Sequence, residues 1–238
     1  MGYEIEKATN GFFAIAWVIL KTRGFKAPVI VLQQIYTYLL SRFSPDKKEF
    51  WFHGQYFDYC LNIHNKAYSN ERTVEVPIAL NMFDLSRDVL EIGNVLTKYQ
   101  KFKHIVIDKY EVDNNVLNLD ILDYNPESKF DLILSVSTFE HIGFDEKIKD
   151  PNKVEEAICK AKSWLKKDGR FLMTIPIGYN KGLDEKLDSL GFTDIYYLKR
   201  VSKSNQWVPC LKDEALIMEY GKPFHAANAI AVCIYRNY

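Results

Sequence analysis

The pattern of apolar and polar residues divides the chain near residue 75. From Val74 onward, short apolar runs alternate with stretches of helical periodicity, which is typical of a mainly parallel sheet with helices on both faces. Phe130–Val136 is a near-continuous apolar run, as expected for a central strand covered on both faces. The other predicted strands are Val89–Ile92, His104–Asp108, Val116–Asp120, Phe171–Ile175, Ile195–Val201 and Ala229–Tyr235, with helices over Pro151–Lys167 and Leu183–Leu190. Residues 76–238 are therefore predicted to form one doubly wound α/β sheet domain.

Residues 1–75 have a different pattern. Phe12–Leu20 and Val29–Phe43 carry apolar residues at helical spacing, and Pro28 is suited to the start of the second helix. Aromatic residues cluster between Phe50 and Tyr59, a feature found more often in cores than on substrate surfaces. We predict a helical N-terminal extension that serves as a lid, a substrate wall or the surface of a homodimer.

Three predicted strand ends carry residues suited to a nucleoside. Gly93 follows the first strand, where the lack of a side chain allows a tight turn and a close approach to a ligand. Asp108 ends the second strand, where an acid can accept the hydroxyls of a ribose. Asp120 ends the third, where the carboxylate and the N–H of Ile121 are suited to the edge of an adenine. Ligands of such sheets bind at the carboxyl ends of the strands, so these residues predict one cofactor site.

These motifs, taken in order, resemble those of class I methyltransferases. The motifs are Glu91-Ile92-Gly93, Asp108, Asp120, the run Phe130–Ser135 with Glu140-His141-Ile142, and Leu165–Phe171, within roughly residues 85–180. The resemblance extends to bacterial and archaeal methyltransferases of surface-polysaccharide biosynthesis, through a Ser-Thr-x-Glu-His-Ile-Gly stretch and the Pro-x-Gly-Tyr-Asn turn at Pro176–Asn180. It implies a Rossmann-like sheet of seven mostly parallel strands, a C-terminal antiparallel hairpin, and S-adenosylmethionine as cofactor.

The resemblance also implies roles for individual residues. Glu91 and Gly93 would face the methionine part, Asp108 with its neighbour Lys109 the ribose, and Asp120 with Ile121 the adenine, while Ser135 and Ser137 would line the sulfonium and substrate side. The loop departs from the family pattern because Gly93 is its only glycine. Asn tolerates a positive φ better than most non-glycine residues, so Asn94 is predicted to substitute in the turn.

Glu140 and His141 are the predicted catalytic residues. A sulfonium methyl group is already activated, so the protein has to align donor and acceptor and manage one proton. A histidine has an unperturbed pKa of about 6.5, which suits it to accept that proton. The alternative is an acid at a helix start beside a packed histidine. A metal site is not predicted, because no further acid or histidine lies within a helical turn upstream of this pair.

The acceptor is predicted to be a small molecule or glycan, methylated on oxygen or nitrogen of a sugar or sugar-linked group. Arg72, at the entry to the sheet domain, offers a charge for a phosphate or carboxylate. Two other functions remain open. An NAD-type enzyme would also use Asp108, although the G-x-G-x-x-G pattern is absent. A non-catalytic module that has lost its cofactor would explain the glycine-poor loop.

Composition narrows the class of partner. The 238 residues include 31 basic and 31 acidic side chains, and this balance gives no support to nucleic-acid binding. Four scattered cysteines without metal-ligand spacing indicate reduced thiols in a cytoplasmic protein. The apolar run Gly11–Leu20 is shorter than the roughly 20 residues that span a bilayer, so no spanning membrane segment is predicted.

Overall fold

The computed structural model describes residues 48–83, 88–101 and 103–238, together with eight positions between 28 and 43. Those eight positions (28, 31, 32, 35, 36, 38, 39 and 43) are helical, in agreement with the helix predicted over Val29–Phe43. The helix predicted over Phe12–Leu20 lies outside the described residues.

The described strands form a hairpin and one large sheet. They are β1 (Glu49–Phe52), β2 (Gln55–Asp58), β3 (Val89–Ile92), β4 (Ile105–Ile107), β5 (Phe130–Val136), β6 (Leu165–Pro176), β7 (Asp194–Arg200), β8 (Trp207–Cys210) and β9 (Ala229–Arg236). β1 pairs with β2, and the other seven strands follow the order β4-β3-β5-β6-β9-β7-β8. Strands β3 to β6 pair in parallel, while β9 and β8 run antiparallel to their neighbours. The predicted seven-stranded, mostly parallel α/β sheet is confirmed.

Short helices connect these strands. The α-helices are α1 (Arg72–Met82), α2 (Lys153–Ser163), α3 (Lys181–Lys186) and α4 (Lys212–Leu216), and 3₁₀ turns span His64–Ser69, Leu96–Lys98, Phe139–His141 and Leu187–Leu190. The two helices predicted after residue 150 are confirmed, although α2 is shorter than predicted because β6 already begins at Leu165. None of the described helices is long and apolar enough to cross a membrane.

Two of the predicted strand arrangements differ in detail. β7 and β9 pair antiparallel as predicted, but β8 and α4 lie between them in the chain. The strand predicted over Val116–Asp120 is wrong, because only Leu117 pairs with β4, through a single parallel bridge to Ile107. The Asn118 side chain bonds the carbonyls of Asp108 and Lys109, at the end of β4. The segment therefore lies beside β4, and β8 is the seventh strand, at the opposite edge.

Both faces of the sheet are covered by apolar residues. One core packs α2 and α3 against the sheet, and the other packs the β1–β2 hairpin and α1 against the opposite face. Phe50, Phe52, Phe57 and Tyr59 belong to the second core, which confirms the interpretation of the aromatic cluster as a core feature. Trp207 is 2% exposed and also belongs to this core. It therefore covers the sheet and contacts neither of the cavities described below.

Helix α1 joins the hairpin to the sheet. Pro77 lies inside the helix and has no N–H, so it cannot donate to the Thr73 carbonyl four residues earlier. That carbonyl accepts instead from the N–H of Cys60 at 2.9 Å. The domain boundary predicted at 75/76 falls inside α1, and the division into two parts stays a prediction.

Candidate functional site

A cavity of about 420 Å³ lies at the carboxyl ends of β3 and β4, and we call it the strand-end cavity. It is lined by Ile92, Gly93, Asn94, Val95, Ile107, Asp108, Lys109, Tyr110, Leu119, Asp120, Ile121, Ser137, Thr138, His141, Ile142, Asp145 and Glu146. The predicted residues Gly93, Asn94, Asp108, Lys109, Asp120, Ile121 and Ser137 thus lie around one space. Its volume is within the range of small-molecule sites, about 300–1,000 Å³.

The turn after β3 depends on Gly93 alone. Gly93 has a φ of 84°, and a Cβ atom added there would lie 2.1 Å from Oγ1 of Thr138. The expectation that Asn94 substitutes for a second glycine is wrong, because Asn94 does not have a positive φ. Its N–H donates to Oδ2 of Asp108 at 3.1 Å. Asn94 therefore ties the loop to the end of β4, and one glycine suffices for the turn.

Glu91 and Ser135 lie behind the lining of the cavity. Oε1 of Glu91 accepts from the N–H groups of Val95 and Leu96 at 2.8 and 2.6 Å, and Oε2 lies 2.7 Å from Nε2 of His104. Oγ of Ser135 donates to the Ile92 carbonyl at 2.8 Å. Neither residue lines the cavity, so both hold the end of β3 in position, whereas the sequence placed them in contact with the cofactor.

The Asp108 carboxylate is held at the cavity wall by three backbone N–H groups. Its Oδ1 accepts from the N–H groups of Tyr110 and Glu111, both at 2.8 Å, and its Oδ2 accepts from Asn94. These bonds fix the orientation of the carboxylate at the cavity wall. Each carboxylate oxygen can accept further bonds, which leaves capacity for a hydroxyl pair.

Asp120 belongs to a network of two acids and two lysines. Its Oδ2 lies 2.8 Å from Nζ of Lys109 and 2.5 Å from Nζ of Lys153, and both lysines also contact Glu146. Burial raises the pKa of Asp120, but the bonds from the two lysines outweigh it and lower the pKa to about 2. Asp120 is thus ionised and is held by both lysines at the wall of the strand-end cavity.

A second cavity, of about 280 Å³, is polar, and we call it the polar cavity. It is lined by Asn65, Asn70, Glu71, Arg72, Ser137, Glu140, His141, Pro176, Tyr179, Tyr220, His225 and Ala226. Ser137 and His141 line both cavities. The two spaces therefore meet at the end of β5.

Ser137 holds an unusual conformation at this junction. Its φ is 40°, which is uncommon for a residue other than glycine and costs about 1–3 kcal/mol. Oγ of Ser137 donates to Oε1 of Glu75 at 2.6 Å, and the Arg72 guanidinium donates to the carbonyls of Val136 at 2.8 Å and Ser137 at 3.4 Å. Arg72 also pairs with Glu75 at 3.2 Å. The expectation that Arg72 offers a free charge is wrong, because its guanidinium holds the end of β5.

His141 is oriented by an acid four residues later. Nδ1 of His141 lies 2.5 Å from Oδ2 of Asp145, which also accepts from the Tyr179 hydroxyl at 2.7 Å. Burial raises the pKa of Asp145, but the bonds from His141 and Tyr179 lower it below its usual range. An ionised Asp145 accepts a hydrogen bond at this distance, so Nδ1 carries a proton, and Nε2 is the ring nitrogen that is not bonded to Asp145. The imidazole is 44% exposed and can therefore exchange protons with solvent.

Glu140 is buried, and one of its carboxyl oxygens has no hydrogen-bond partner among the described residues. It is 1% exposed, its Oε1 lies 3.5 Å from Nε2 of His141, and its Oε2 has no hydrogen-bond partner among the described residues. Burial raises the pKa of Glu140 well above its usual value, and the nearby Glu75 and Glu71 add to the rise. Within the described part of the chain, no group of three His, Cys, Asp or Glu residues could hold a metal ion.

Several residues of the polar cavity were missed from the sequence. They are Glu71, Asn65, Asn70, Tyr179, Tyr220 and His225, with Asp145 and Glu75 directly behind them. Two signals were available: the His141-x-x-x-Asp145 spacing, and the charges Glu71, Arg72 and Glu75 on an otherwise apolar helix. Tyr220 and His225 come from the long connection before β9, and no local pattern points to them.

Comparisons with known proteins find matches among solved structures. No protein-family model matches the chain, and no curated protein matches it. Among solved structures, the N-methyltransferase NodS from Bradyrhizobium japonicum, in complex with S-adenosylhomocysteine, is 14% identical, over 67% of this chain and 82% of that one, with a TM-score of 0.44. A possible histamine N-methyltransferase from Thermotoga maritima is also 14% identical, over 68% and 87%, with a TM-score of 0.40. An S-adenosylmethionine-dependent methyltransferase from Archaeoglobus fulgidus is 18% identical, over 63% and 86%, with a TM-score of 0.39. At such identities the likeness concerns the fold alone.

Proposed function

We propose that this chain is an S-adenosylmethionine-dependent methyltransferase that acts on a small molecule or glycan. One observation carries the proposal: the strand-end cavity and the polar cavity meet at Ser137 and His141. A transferase needs two adjoining sites, one for the donor and one for the acceptor, with a proton acceptor where they meet. His141, oriented by Asp145, lies at that point.

The residues of the strand-end cavity fit the donor. Gly93 allows the tight turn against the Thr138 side chain at the cavity wall, Asp108 presents a fixed carboxylate for ribose hydroxyls, and Asp120 and Ile121 border the end suited to an adenine. When bound, S-adenosylmethionine supplies an electrophilic methyl group on a sulfonium. The chain would align an acceptor with that methyl group, exclude water and take up one proton at Nε2 of His141.

The loop after β3 argues against a dinucleotide. A pyrophosphate binds free backbone N–H groups at such a turn. Here the N–H groups of Val95 and Leu96 already bond the buried carboxylate of Glu91. A pyrophosphate would therefore meet a carboxylate below the loop in place of free donors. The sulfonium that links methionine to adenosine in S-adenosylmethionine is positively charged and avoids that repulsion.

The motifs also support finer proposals. The Ser-Thr-x-Glu-His-Ile-Gly stretch and the turn at Pro176–Asn180 favour a sugar or sugar-linked acceptor, and with it a role in surface-polysaccharide biosynthesis. Ser137, His141 and Tyr179 of these two motifs line the polar cavity. We therefore place the acceptor in that cavity, with His141 as the base and Glu140 as its neighbour.

Calorimetry and thermal unfolding with S-adenosylhomocysteine and with NAD test the proposal. We expect S-adenosylhomocysteine to bind and, at a hundred times its Kd, to add about 2.7 kcal/mol to the free energy of unfolding. Binding of NAD without S-adenosylhomocysteine would support the dinucleotide enzyme and overturn the proposal. Binding of neither at millimolar concentration would support a module that has lost its cofactor, and would overturn it as well.

A further inference from the structure

The charges around the polar cavity do not balance. Three buried carboxyl groups, of Glu71, Glu75 and Glu140, lie at or directly behind its wall. The Arg72 guanidinium pairs with Glu75 and bonds two backbone carbonyls. Arg200, which lies outside the lining, donates its guanidinium to backbone carbonyls, including that of His225. Neither guanidinium hydrogen-bonds Glu140, and the basic group nearest to it among the described ion pairs is Nε2 of His141, 3.5 Å from Oε1.

A carboxyl group buried without a partner is costly, and proteins seldom keep one without a use. Glu140 lines the polar cavity, is 1% exposed, and has an Oε2 atom without a hydrogen-bond partner among the described residues. It does not line the strand-end cavity, although its neighbour His141 lines both. A positively charged group in the polar cavity would supply the missing partner.

The aromatic residues of the cavity suit the same kind of ligand. The rings of Tyr179 and Tyr220 lie edge to face with centroids 5.0 Å apart, and both residues line the cavity. Faces of tyrosine rings attract ammonium groups, and phenol oxygens accept hydrogen bonds from them. The volume of about 280 Å³ accommodates a small molecule or one unit of a larger one.

We propose that the methyl acceptor is a primary or secondary amine, which binds in the polar cavity as an ammonium with its charge on Glu140. This inference rests on the proposed function, and it names the acceptor as an amine in preference to a hydroxyl. The acidic, tyrosine-lined wall of the polar cavity recognises the ammonium, and His141 at the junction receives its proton.

The methyl transfer accounts for every proton and electron pair as follows. The ammonium gives one proton to Nε2 of His141, which frees the nitrogen lone pair. That lone pair forms the new N–C bond while the C–S bond of the sulfonium breaks, and the sulfur keeps the electron pair of the broken bond. The products are the methylated ammonium, S-adenosylhomocysteine, and a proton that His141 releases to solvent.

The test compares matched amines and alcohols. Glucosamine against glucose, and phenethylamine against phenethyl alcohol, are titrated by calorimetry into the protein saturated with S-adenosylhomocysteine. We expect at least one amine to bind at least about tenfold more tightly than its hydroxyl counterpart, as for a charge-assisted hydrogen bond. In Glu140→Gln the ratio of the alcohol Kd to the amine Kd is expected to fall to about one. The control Glu156→Gln, which removes an exposed acid on α2, should keep the ratio of the unmodified protein.

Four results would overturn the amine proposal. On the unmodified protein they are equal or tighter binding of both alcohols, and binding of none of the four probes. In Glu140→Gln they are an unchanged preference for the amine, and a loss of S-adenosylmethionine affinity relative to S-adenosylhomocysteine. The last result would mean that Glu140 serves the sulfonium. The comparison of probes on the unmodified protein needs no variant, so it remains decisive if Glu140→Gln fails to fold. Failure of S-adenosylhomocysteine itself to bind would instead overturn the proposed function.

Discussion

The strand-end cavity and the polar cavity adjoin but are built in different ways. The first is lined by residues between 92 and 146, most of which follow the ends of neighbouring parallel strands. The second takes residues from four separate stretches: 65–72, 137–141, 176–179 and 220–226. A site built from consecutive strand ends follows from the sheet alone, while a site built from distant connections depends on how the whole chain packs. The first is therefore suited to a shared cofactor and the second to a specific acceptor.

The acids of the two cavities also differ in the direction of their pKa shifts and in what their ionisation does to the stability of the fold. Asp120 is paired with two lysines, and its pKa is lowered to about 2 despite its burial. Glu140 has no such partner, and burial raises its pKa well above its usual value. A paired acid stabilises the fold when ionised, whereas an unpaired buried acid destabilises it. We infer that Asp120 strengthens the framework and that Glu140 is kept at a cost in stability.

The largest expected effect is at His141, one of the two residues that line both cavities. His141→Ala should lower the turnover by about 10²–10⁴-fold, the range for loss of a general base. S-adenosylhomocysteine affinity should stay within a few-fold, since Asp108 and Gly93 are untouched. Turnover is measured as S-adenosylhomocysteine release with an acceptor found by screening amines and alcohols. Turnover near that of the unmodified protein, with the cofactor still bound, would remove His141 from the mechanism.

Gly93→Ala tests the strand-end cavity by itself. The new Cβ would meet Oγ1 of Thr138 at 2.1 Å, and the φ of 84° would be strained. We expect a loss of about 1–3 kcal/mol in the free energy of unfolding, and S-adenosylhomocysteine affinity lower by at least about tenfold. Gly54→Ala is the matched control, since Gly54 has a φ of 86° and no atom of the described residues lies within 4 Å of its added Cβ. Equal losses of stability and affinity in both variants would mean that the contact with Thr138 does not matter.

Asp120→Asn should destabilise the fold in a pH-dependent way. The folded pKa of Asp120 is lowered, so its stabilisation is present above the unfolded pKa, near 3.8, and is lost as the pH falls through about 2. We expect a loss of about 1–2 kcal/mol at neutral pH in urea unfolding, shrinking toward zero in acid. Asp113→Asn, in an exposed turn, serves as control. If the difference in free energy of unfolding between Asp120→Asn and the unmodified protein did not change with pH, the ion-pair explanation would be contradicted.

Glu140→Gln should change the free energy of unfolding by less than Asp120→Asn does, and it should raise this free energy instead of lowering it. The folded pKa of Glu140 is raised, so its contribution is fully present below the unfolded pKa, near 4.5, and is lost as the pH rises through the folded value. The neutral variant escapes that loss and should be about 1 kcal/mol more stable than the unmodified protein at about pH 8, with little difference at about pH 4. Glu156→Gln should show no such trend. A less stable Glu140→Gln at alkaline pH would mean that the carboxylate is compensated in the fold.

The framework of the strand-end cavity was predictable from local patterns. Gly93 and Asp108 each follow a strand of the sheet, and parallel strands bring such positions to one edge. Asp120 reaches the same cavity from a segment that is not a strand and lies beside β4. The details were not predictable. Asn94 was expected to share the turn, yet it bonds Asp108, and Glu91 was expected at the cofactor, yet it lies beneath the loop. A strand pattern shows where a residue lies along the chain, but not which hydrogen-bond donors its carboxylate meets.

The sequence by itself therefore determined the α/β sheet, the order of its strand-end motifs and the place of His141 beyond the central strand. Only the tertiary structure decided that Arg72 is already paired, that Asp145 orients His141, and that Glu140 is buried with one oxygen that has no hydrogen-bond partner among the described residues. The physical reason is that apolar periodicity is local, whereas the desolvation and pairing of a charge depend on every neighbour in space. Most neighbours of Glu140 come from distant parts of the chain, and it is there that the acceptor is to be sought.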